Sequence, residues 1–278
     1  MEPIIKWAGG KRLLTEELRK LIDLKKIEAN HNRYYEPFVG GGALFFNLEY
    51  KNSVINDCNS ELINAYIVVR DFPDKLIKKL TNYRDKYNDD FFDDIRQMDR
   101  KKNFKKLSPV TRAARFIFLN KTCYNGLYRV NSQGFFNVPN GRYQKPDIVN
   151  KDKIKKASEF LKKDGIVIRN MDFEEAVSDA IKGDIVYFDP PYDYDANGFT
   201  SYIPNGFDRA DLEKLHRLCE DLISRGCEVI VSNNDTDFVK GLFKETHYII
   251  HHIEANRFIN CDGKKRKKVK EVIIYGKQ

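Results

Sequence analysis

Apolar positions along the chain fall into short β-rich runs separated by stretches with helical spacing. Tyr34 to Phe38 predicts a first strand and Ser53 to Asn56 a second, and Ile166 to Arg169, Asp184 to Phe188 and Glu228 to Val231 predict three more. Between the last two, Leu212, Leu215, Cys219 and Leu222 form a helical stripe, with Asp208 in an N-cap position and Gly226 where a helix must stop. This is a βαβ unit. His247 to Ala255 and Glu271 to Tyr275 predict two closing strands joined by a basic loop, an antiparallel hairpin at one edge. The expected fold class is therefore α/β with a mixed sheet.

The stretch from Glu61 to Glu159 departs from this rhythm. It is mostly helical in pattern, punctuated by Phe72-Pro73 and by Ser108-Pro109, the latter a Ser N-cap followed by Pro at the first helical position. Beyond that helix, Tyr124 to Asn131 and Phe135 to Tyr143 are rich in Asn, Gly and aromatic residues. The expected organisation is one domain from residues 1–60 and 160–278, with residues 61–159 inserted between the second and third strands. A length of 278 residues accommodates it.

Charge adds a direction. The chain carries a net +8, but unevenly: Lys101 to Lys163 holds 16 basic residues against three acids, and Met171 to Thr200 holds eight acids against one Lys. A second basic run, Lys264 to Lys268, lies near the C-terminus and reads as a nucleic-acid patch or as a localisation signal. Basic surfaces around an acidic centre suit a polyanion held over a carboxylate-lined pocket, and a lysine-rich solvated surface gives the same count. No apolar run reaches the roughly 18 residues of a membrane span, and Met1 to Lys6 lacks a signal peptide's apolar core, so a cytoplasmic protein is expected. Five cysteines form no CxxC pair and are expected to be buried thiols. His247, His251 and His252 lack metal-ligand spacing, and no metal is expected.

Two motifs carry chemistry. Glu36-Pro37-Phe38-Val39-Gly40-Gly41-Gly42 follows the first strand and opens a helix, where glycines let a ligand approach the backbone or simply pack strand on helix. Asp57, just past the second strand, stands where an acid would hold ribose hydroxyls, and together the two favour a nucleoside ligand. The spacing is not GxGxxG, and Gly9-Gly10-Lys11 lacks the rest of a P-loop. Asp189-Pro190-Pro191-Tyr192 follows the fourth strand and is the most specific signal. Each proline holds the residue before it extended, so the Asp189 carboxylate and Pro190 carbonyl have restricted directions. Two acceptors beside an aromatic face suit an exocyclic amine stacked on Tyr192.

With Lys6-Trp7-Ala8-Gly9-Gly10-Lys11, the Glu36 to Gly42 turn, Asp57, Asp189 to Tyr192 and the Tyr124 to Tyr143 segment, the chain resembles the Dam-type DNA adenine-N6 methyltransferases over nearly its whole length. The resemblance implies a Rossmann-like, S-adenosylmethionine-dependent fold with a mixed seven-stranded sheet and an inserted helical DNA-recognition domain. It implies methyl transfer to adenine of GATC in double-stranded DNA by base flipping. Asp189, Pro190, Pro191 and Tyr192 would be catalytic. Trp7, Lys11, Asp57 and Asp189 match cofactor-binding positions, and Glu36, Phe38, Gly40, Asp172 and Phe173 lie in motifs that shape that pocket. DNA contacts map onto Lys6, Tyr124, Asn125, Leu127, Arg129, Asn131, Pro139, Arg142 and Tyr143. The implied protein is a monomer associated with the nucleoid through DNA, with a paired restriction endonuclease as a further expected partner. The stretch Asp193 to Gly198 departs from the group's pattern, being short and carrying Asp193 and Asp195.

Other classes stay open at this level. A cytosine-N4, RNA adenine or protein-glutamine methyltransferase uses related physics at the amine, and the Tyr124 to Tyr143 segment argues against all three. A non-catalytic DNA-binding protein on the same fold would bind without S-adenosylmethionine. A nicotinamide dehydrogenase is disfavoured by the missing GxGxxG.

Overall fold

The computed structural model describes residues 1–7, 12–193, 207–255 and 269–278. It divides into two compact units, one of Lys11–Val39, Asn52–Cys58 and Met171–Gln278, the other of Met1–Gly10, Gly40–Lys51 and Asn59–Asn170. A seven-stranded sheet is built from β1 (Tyr34–Glu36), β2 (Ser53–Asn56), β3 (Val167–Arg169), β4 (Ile185–Phe188), β5 (Glu228–Asn234), β6 (Tyr248–Ala255) and β7 (Val269–Gly276), in the order β3-β2-β1-β4-β5-β7-β6. β1 runs parallel to β2 and β4, and β4 parallel to β5, whereas β7 is antiparallel to β5 and β6. The mixed α/β sheet expected from the apolar pattern is the one observed. Strand order reverses between β1 and β4, so their adjacent carboxyl ends form the place where open α/β sheets bind ligands.

The first unit holds six of the seven strands, β1, β2 and β4 to β7, together with α1 (Arg12–Leu21), α2 (Leu24–Ala29), α9 (Arg209–Ser224) and α10 (Asp237–Leu242). β1, β2 and β4 are buried throughout, so none shows the alternation of a half-exposed strand; β4 is wholly apolar, while β1 and β2 end on the buried polar residues Glu36 and Asn56. β1 stops at Glu36, two residues before the predicted end, because Pro37 has no N–H for a ladder. Asn56 bonds the turn from its side: its Nδ2 donates to the carbonyls of Pro37 (3.0 Å) and Met171 (3.1 Å). α9 begins as its sequence predicts, with Asp208 accepting from the N–H groups of Ala210 and Asp211 and Asp211 closing a capping box. Its stripe Leu212, Leu215, Cys219 and Leu222 is buried. Gly226, at φ +84°, takes the left-handed turn that ends it.

β5 runs three residues past its predicted end. Ser232, Asn233 and Asn234 break the apolar pattern, yet they pair with Ile273, Val272 and Glu271 of β7 and are all buried. A polar strand end is invisible to a reading based on apolar runs. It becomes strand because a neighbour supplies the ladder.

The second unit holds α3 (Ala43–Leu48), α4 (Ser60–Asp71), α5 (Pro73–Asp85), α6 (Asp89–Arg96), α7 (Pro109–Thr122) and α8 (Lys151–Leu161). α7 is its centre, capped by Ser108 with Pro109 at N1, and Phe118 meets Tyr83, Tyr87, Phe91 and Phe92 at ring separations of 5.6–6.4 Å. Arg115, also buried, pairs with Asp99 at 2.7 Å and donates to the carbonyls of Ile95 and Arg96. Asp99 accepts in turn from the N–H of Phe136 (2.8 Å), so this pair ties the segment after α7 to the helices before it. Among the described residues no helix is long and apolar enough to cross a membrane.

Of the cysteines, Cys123, Cys219 and Cys227 are buried free thiols; burial pushes Cys123 up to about 12 and Cys227 to about 11. Cys58 differs from expectation: it follows β2 at the sheet's edge and is exposed. Cys261 lies outside the described residues.

Candidate active site

The sheet unit holds the Asp189 to Tyr192 turn. β4 delivers Asp189 at its end, and the next two residues, Pro190 and Pro191, have no N–H with which to extend a ladder. Side chains fix the turn instead. Ser232 Oγ on β5 donates to Asp189 Oδ1 at 2.8 Å, and Tyr187 Oη lies 3.0 Å from the same Oγ. Tyr34 Oη donates to Glu36 Oε2 at 2.8 Å on the neighbouring strand. Burial, and then the nearby Glu36 or Asp189 carboxylates, hold the phenols of Tyr34, Tyr187 and Tyr192 well above their ordinary range. The three phenols therefore stay protonated.

Around this turn stand aromatic and acidic groups that the sequence separates widely. Phe38 packs on Phe173 (5.3 Å between ring centroids), Phe188 (6.4 Å) and Phe207 (5.7 Å). Lys214 Nζ stands 4.9 Å from the Phe173 ring centroid, 3.4 Å from Asp172 Oδ1 and 2.8 Å from Glu174 Oε2. Asp57 and Asp172 meet around Cys58, whose thiol is raised by partial burial and then by Asp57, with a smaller contribution from Asp172. The carboxyl edge of this unit thus presents an aromatic cluster, the half-buried Asp57 and Asp189, and the buried Glu36.

In the helical unit, Gly40 (φ +47°) takes a backbone conformation that L side chains rarely adopt, and a Cβ there would lie 2.7 Å from Trp7 Nε1. The space left by this glycine is taken by the indole, which stacks on Tyr128 at 6.0 Å and 14°. Tyr66 Oη donates to the Gly40 carbonyl at 2.8 Å. Asn120 makes two hydrogen bonds with the Lys6 backbone, at 2.8 and 2.6 Å, and donates to the Gly126 carbonyl at 3.1 Å. That one amide brings Lys6 beside the Tyr124 to Leu127 turn, and Lys6 Nζ lies over the Tyr143 ring at 5.3 Å. Tyr143 Oη accepts from the N–H of Asn125 at 3.0 Å.

The segment from Cys123 to Asn140 folds back on itself through the bridges Cys123 to Asn140 and Val130 to Phe136. Its tip is an Asx turn in which Asn131 Oδ1 accepts from the N–H groups of Gln133 and Phe135. Arg129 Nε donates to Asn137 Oδ1 at 2.7 Å, across the fold. Tyr124, Asn125, Pro139 and Arg142 are exposed, and Leu127 is half-buried with its carbonyl accepting from the Cys123 thiol. Asn140 positions Arg142 by accepting from its N–H at 3.1 Å.

Sequence reasoning missed Ser232, Asn233, Asn234, Asn120 and Asn137. The polar run Ser232 to Asn234 on an apolar strand was the available signal for the first three; nothing local marks the other two. Lys11 and the basic run Lys264 to Lys268 lie outside the described residues. Of His247, His251 and His252, His247 bonds Glu220 and His252 bonds Asp235. His216 Nε2, on α9, lies 3.6 Å from a carboxylate oxygen of Glu220 and 3.5 Å from one of Glu245.

The model of the D12 class N6 adenine-specific DNA methyltransferases matches residues 7–259, spanning both units. The chain belongs to this family. It is 42% identical over 276 residues to the Type II methyltransferase M1.LlaDCHI of Lactococcus lactis subsp. cremoris, covering 99% of this chain and 95% of that one. It is 38% identical to the Type II methyltransferase M.MjaIII of Methanocaldococcus jannaschii, covering 96% of each chain. With the DNA adenine methylase of Escherichia coli K12 it shares 31% identity over 97% of this chain and 93% of that one.

The protein is thus a DNA adenine methyltransferase whose methyl donor is S-adenosylmethionine. The chemistry of the donor set fits that donor. Carboxylates at the ends of β1, β2 and β4 match ribose hydroxyls and a cationic sulfonium, and the Phe38, Phe173 and Phe207 cluster matches a planar adenine.

Proposed function

We propose that this methyltransferase modifies N6 of adenine in GATC within double-stranded DNA, acting on a base flipped out of the stack. The observation that carries the reading is the Asp189 to Tyr192 turn, with its carboxylate directed by Ser232. Trp7, Lys11, Glu36, Phe38, Gly40, Asp57, Asp172, Phe173 and Asp189 would hold S-adenosylmethionine, which supplies an electrophilic methyl group.

The amine of adenine is a weak nucleophile because its lone pair is delocalised into the ring. Asp189 and the Pro190 carbonyl accept its two N–H bonds, which favours a pyramidal nitrogen and localises the lone pair. The Asp189 charge then stabilises the positive charge that develops on nitrogen. No covalent enzyme intermediate is needed. Extruding the base costs a few kcal/mol, partly offset by stacking on Tyr192.

Residues 61–159 serve as the recognition domain. Arg129, held by Asn137, reads guanine O6 and N7, Leu127 and Pro139 offer apolar surface to a thymine methyl, and Tyr124 wedges into the opened stack. Lys6, Asn125, Asn131, Arg142 and Tyr143 complete the contacts. Acting on DNA, the protein works as a monomer in the cytoplasm and associates with the nucleoid. The Type II relatives support a role beside a restriction endonuclease of the same specificity.

The test is transfer of labelled methyl to matched duplexes carrying GATC or a scramble of those bases, with Asp189→Ala as control. Label confined to GATC and lost in the variant is the expected result. Equal labelling of the scramble overturns the target, and a variant with normal turnover overturns the mechanism.

A further inference from the structure

The geometry points to Asp193 as a positioning residue for methyl transfer, clamping the far end of the acceptor turn as Ser232 holds the near end. This rests on Asp189 and Pro190 being the acceptors of the target amine. Pro190 and Pro191 donate no backbone hydrogen bond, so the direction of the Pro190 carbonyl depends on how firmly the chain is held on either side.

On the far side the hold is complete. Asp193 is 8% exposed, and its N–H, its carbonyl and both carboxylate oxygens are bonded. The N–H donates to Asn233 Oδ1 at 2.9 Å, and Asn234 Nδ2 donates to the Asp193 carbonyl. Thr236, the N-cap of α10, donates its hydroxyl to Oδ2 at 2.7 Å. Arg209, the first residue of α9, grips both oxygens from Nε (3.0 Å) and Nη2 (3.1 Å), its guanidinium lying 4.5 Å from the Phe238 ring centroid.

Three successive residues at the end of β5 therefore reach both ends of the turn: Ser232 bonds Asp189, and Asn233 and Asn234 bond Asp193. The bidentate pair joins residues sixteen positions apart in sequence and fixes the chain at the start of α9. A bidentate Arg–carboxylate pair restricts orientation as well as distance. Displacing reacting groups by about 1 Å costs on the order of 100-fold in rate. Loosening this clamp should then slow the chemical step without weakening donor binding.

The experiment compares single-turnover methyl transfer by the wild type, Asp193→Ala, Arg209→Met and Asp189→Ala, with DNA and S-adenosylmethionine saturating. Rate constant and amplitude are read separately, and donor affinity by equilibrium binding. Arg209→Met leaves the other three Asp193 contacts in place, so it keeps the question answerable if Asp193→Ala folds poorly. The expected result is a rate constant lowered about 10- to 100-fold in Asp193→Ala and about 3- to 10-fold in Arg209→Met, with donor affinity within about twofold. Arg209→Lys, which keeps the charge, should recover part of the rate. A purely structural role would lower only the amplitude, and an unchanged rate constant in folded Arg209→Met and Asp193→Ala overturns the proposal. If Asp189→Ala itself transfers at the wild-type rate, the reading of the turn fails instead.

Discussion

Asp189 ends a buried strand, and one of its carboxylate oxygens is already engaged by Ser232. That bond has a consequence at the scale of a single atom. Removing it frees the carboxylate to rotate and leaves Tyr187 without its hydroxyl partner. A hydrogen bond to a charged group contributes about 1.5–3 kcal/mol, so Ser232→Ala should lower the rate of methyl transfer by roughly 10- to 100-fold. Steady-state kinetics with unchanged turnover would remove Ser232 from the mechanism. A second residue-scale prediction concerns Lys121, whose burial, with lesser repulsion from Lys153 and Lys6, lowers its ammonium pKa from 10.5 to about 8 against the pull of Asp147 and Glu2. Between about pH 8 and 10.5 the unfolded chain binds a proton that the folded one has lost, so this group makes stability rise across that window. Lys121→Met removes the rise. The gap between wild-type and variant denaturation midpoints should therefore shift in favour of the wild type as pH increases, and a constant gap would contradict the assignment. At this scale residue type and motif single out Asp189 and Arg129 as candidates, but not the Ser232 and Asn137 bonded to them.

At the scale of elements, the helical unit depends on a buried ion pair rather than on apolar packing alone. Arg115 and Asp99 bond each other, the end of α6 and the backbone of Phe136, linking the core of α7 to the segment that carries Arg129 and Asn137. Truncating Asp99 leaves the buried Arg115 guanidinium with its carbonyl acceptors but without the carboxylate bonded to it. Asp99→Ala should destabilise the protein by about 3–5 kcal/mol, read as a shift in the denaturation midpoint. An apolar replacement of both partners should recover much of that loss. The helices and their starts were legible because caps and stripes are local: Ser108-Pro109, Asp208 with Asp211, and Leu212 to Leu222 lie within a few turns of one another. Strand ends were less legible. β1 loses two residues to the missing N–H of Pro37, and β5 gains three polar ones because β7 continues the ladder.

For the molecule as a whole, the uneven charge bears on how DNA is held. Neutralising phosphates releases counterions, and each contact contributes about −0.9 to the slope of log affinity against log salt. Replacing Lys264 to Lys268 with Gln should weaken binding to GATC and scrambled duplexes alike and make that slope shallower. A loss confined to GATC would assign the run to base readout instead. The sequence by itself determined the α/β class, the place of the Asp189 to Tyr192 turn after the fourth strand, and the family, since each rests on short-range periodicity or on contiguous motifs. Only the tertiary structure decided what holds those motifs. Asn120 grips Lys6 from 114 positions away, Ser232 reaches Asp189 from 43 away, and the indole of Trp7 fills the space that Gly40 leaves open. Such pairings follow from strand order, register and helix packing. Those are settled when the whole chain buries its apolar surface, so a residue's immediate neighbours in sequence carry no record of them.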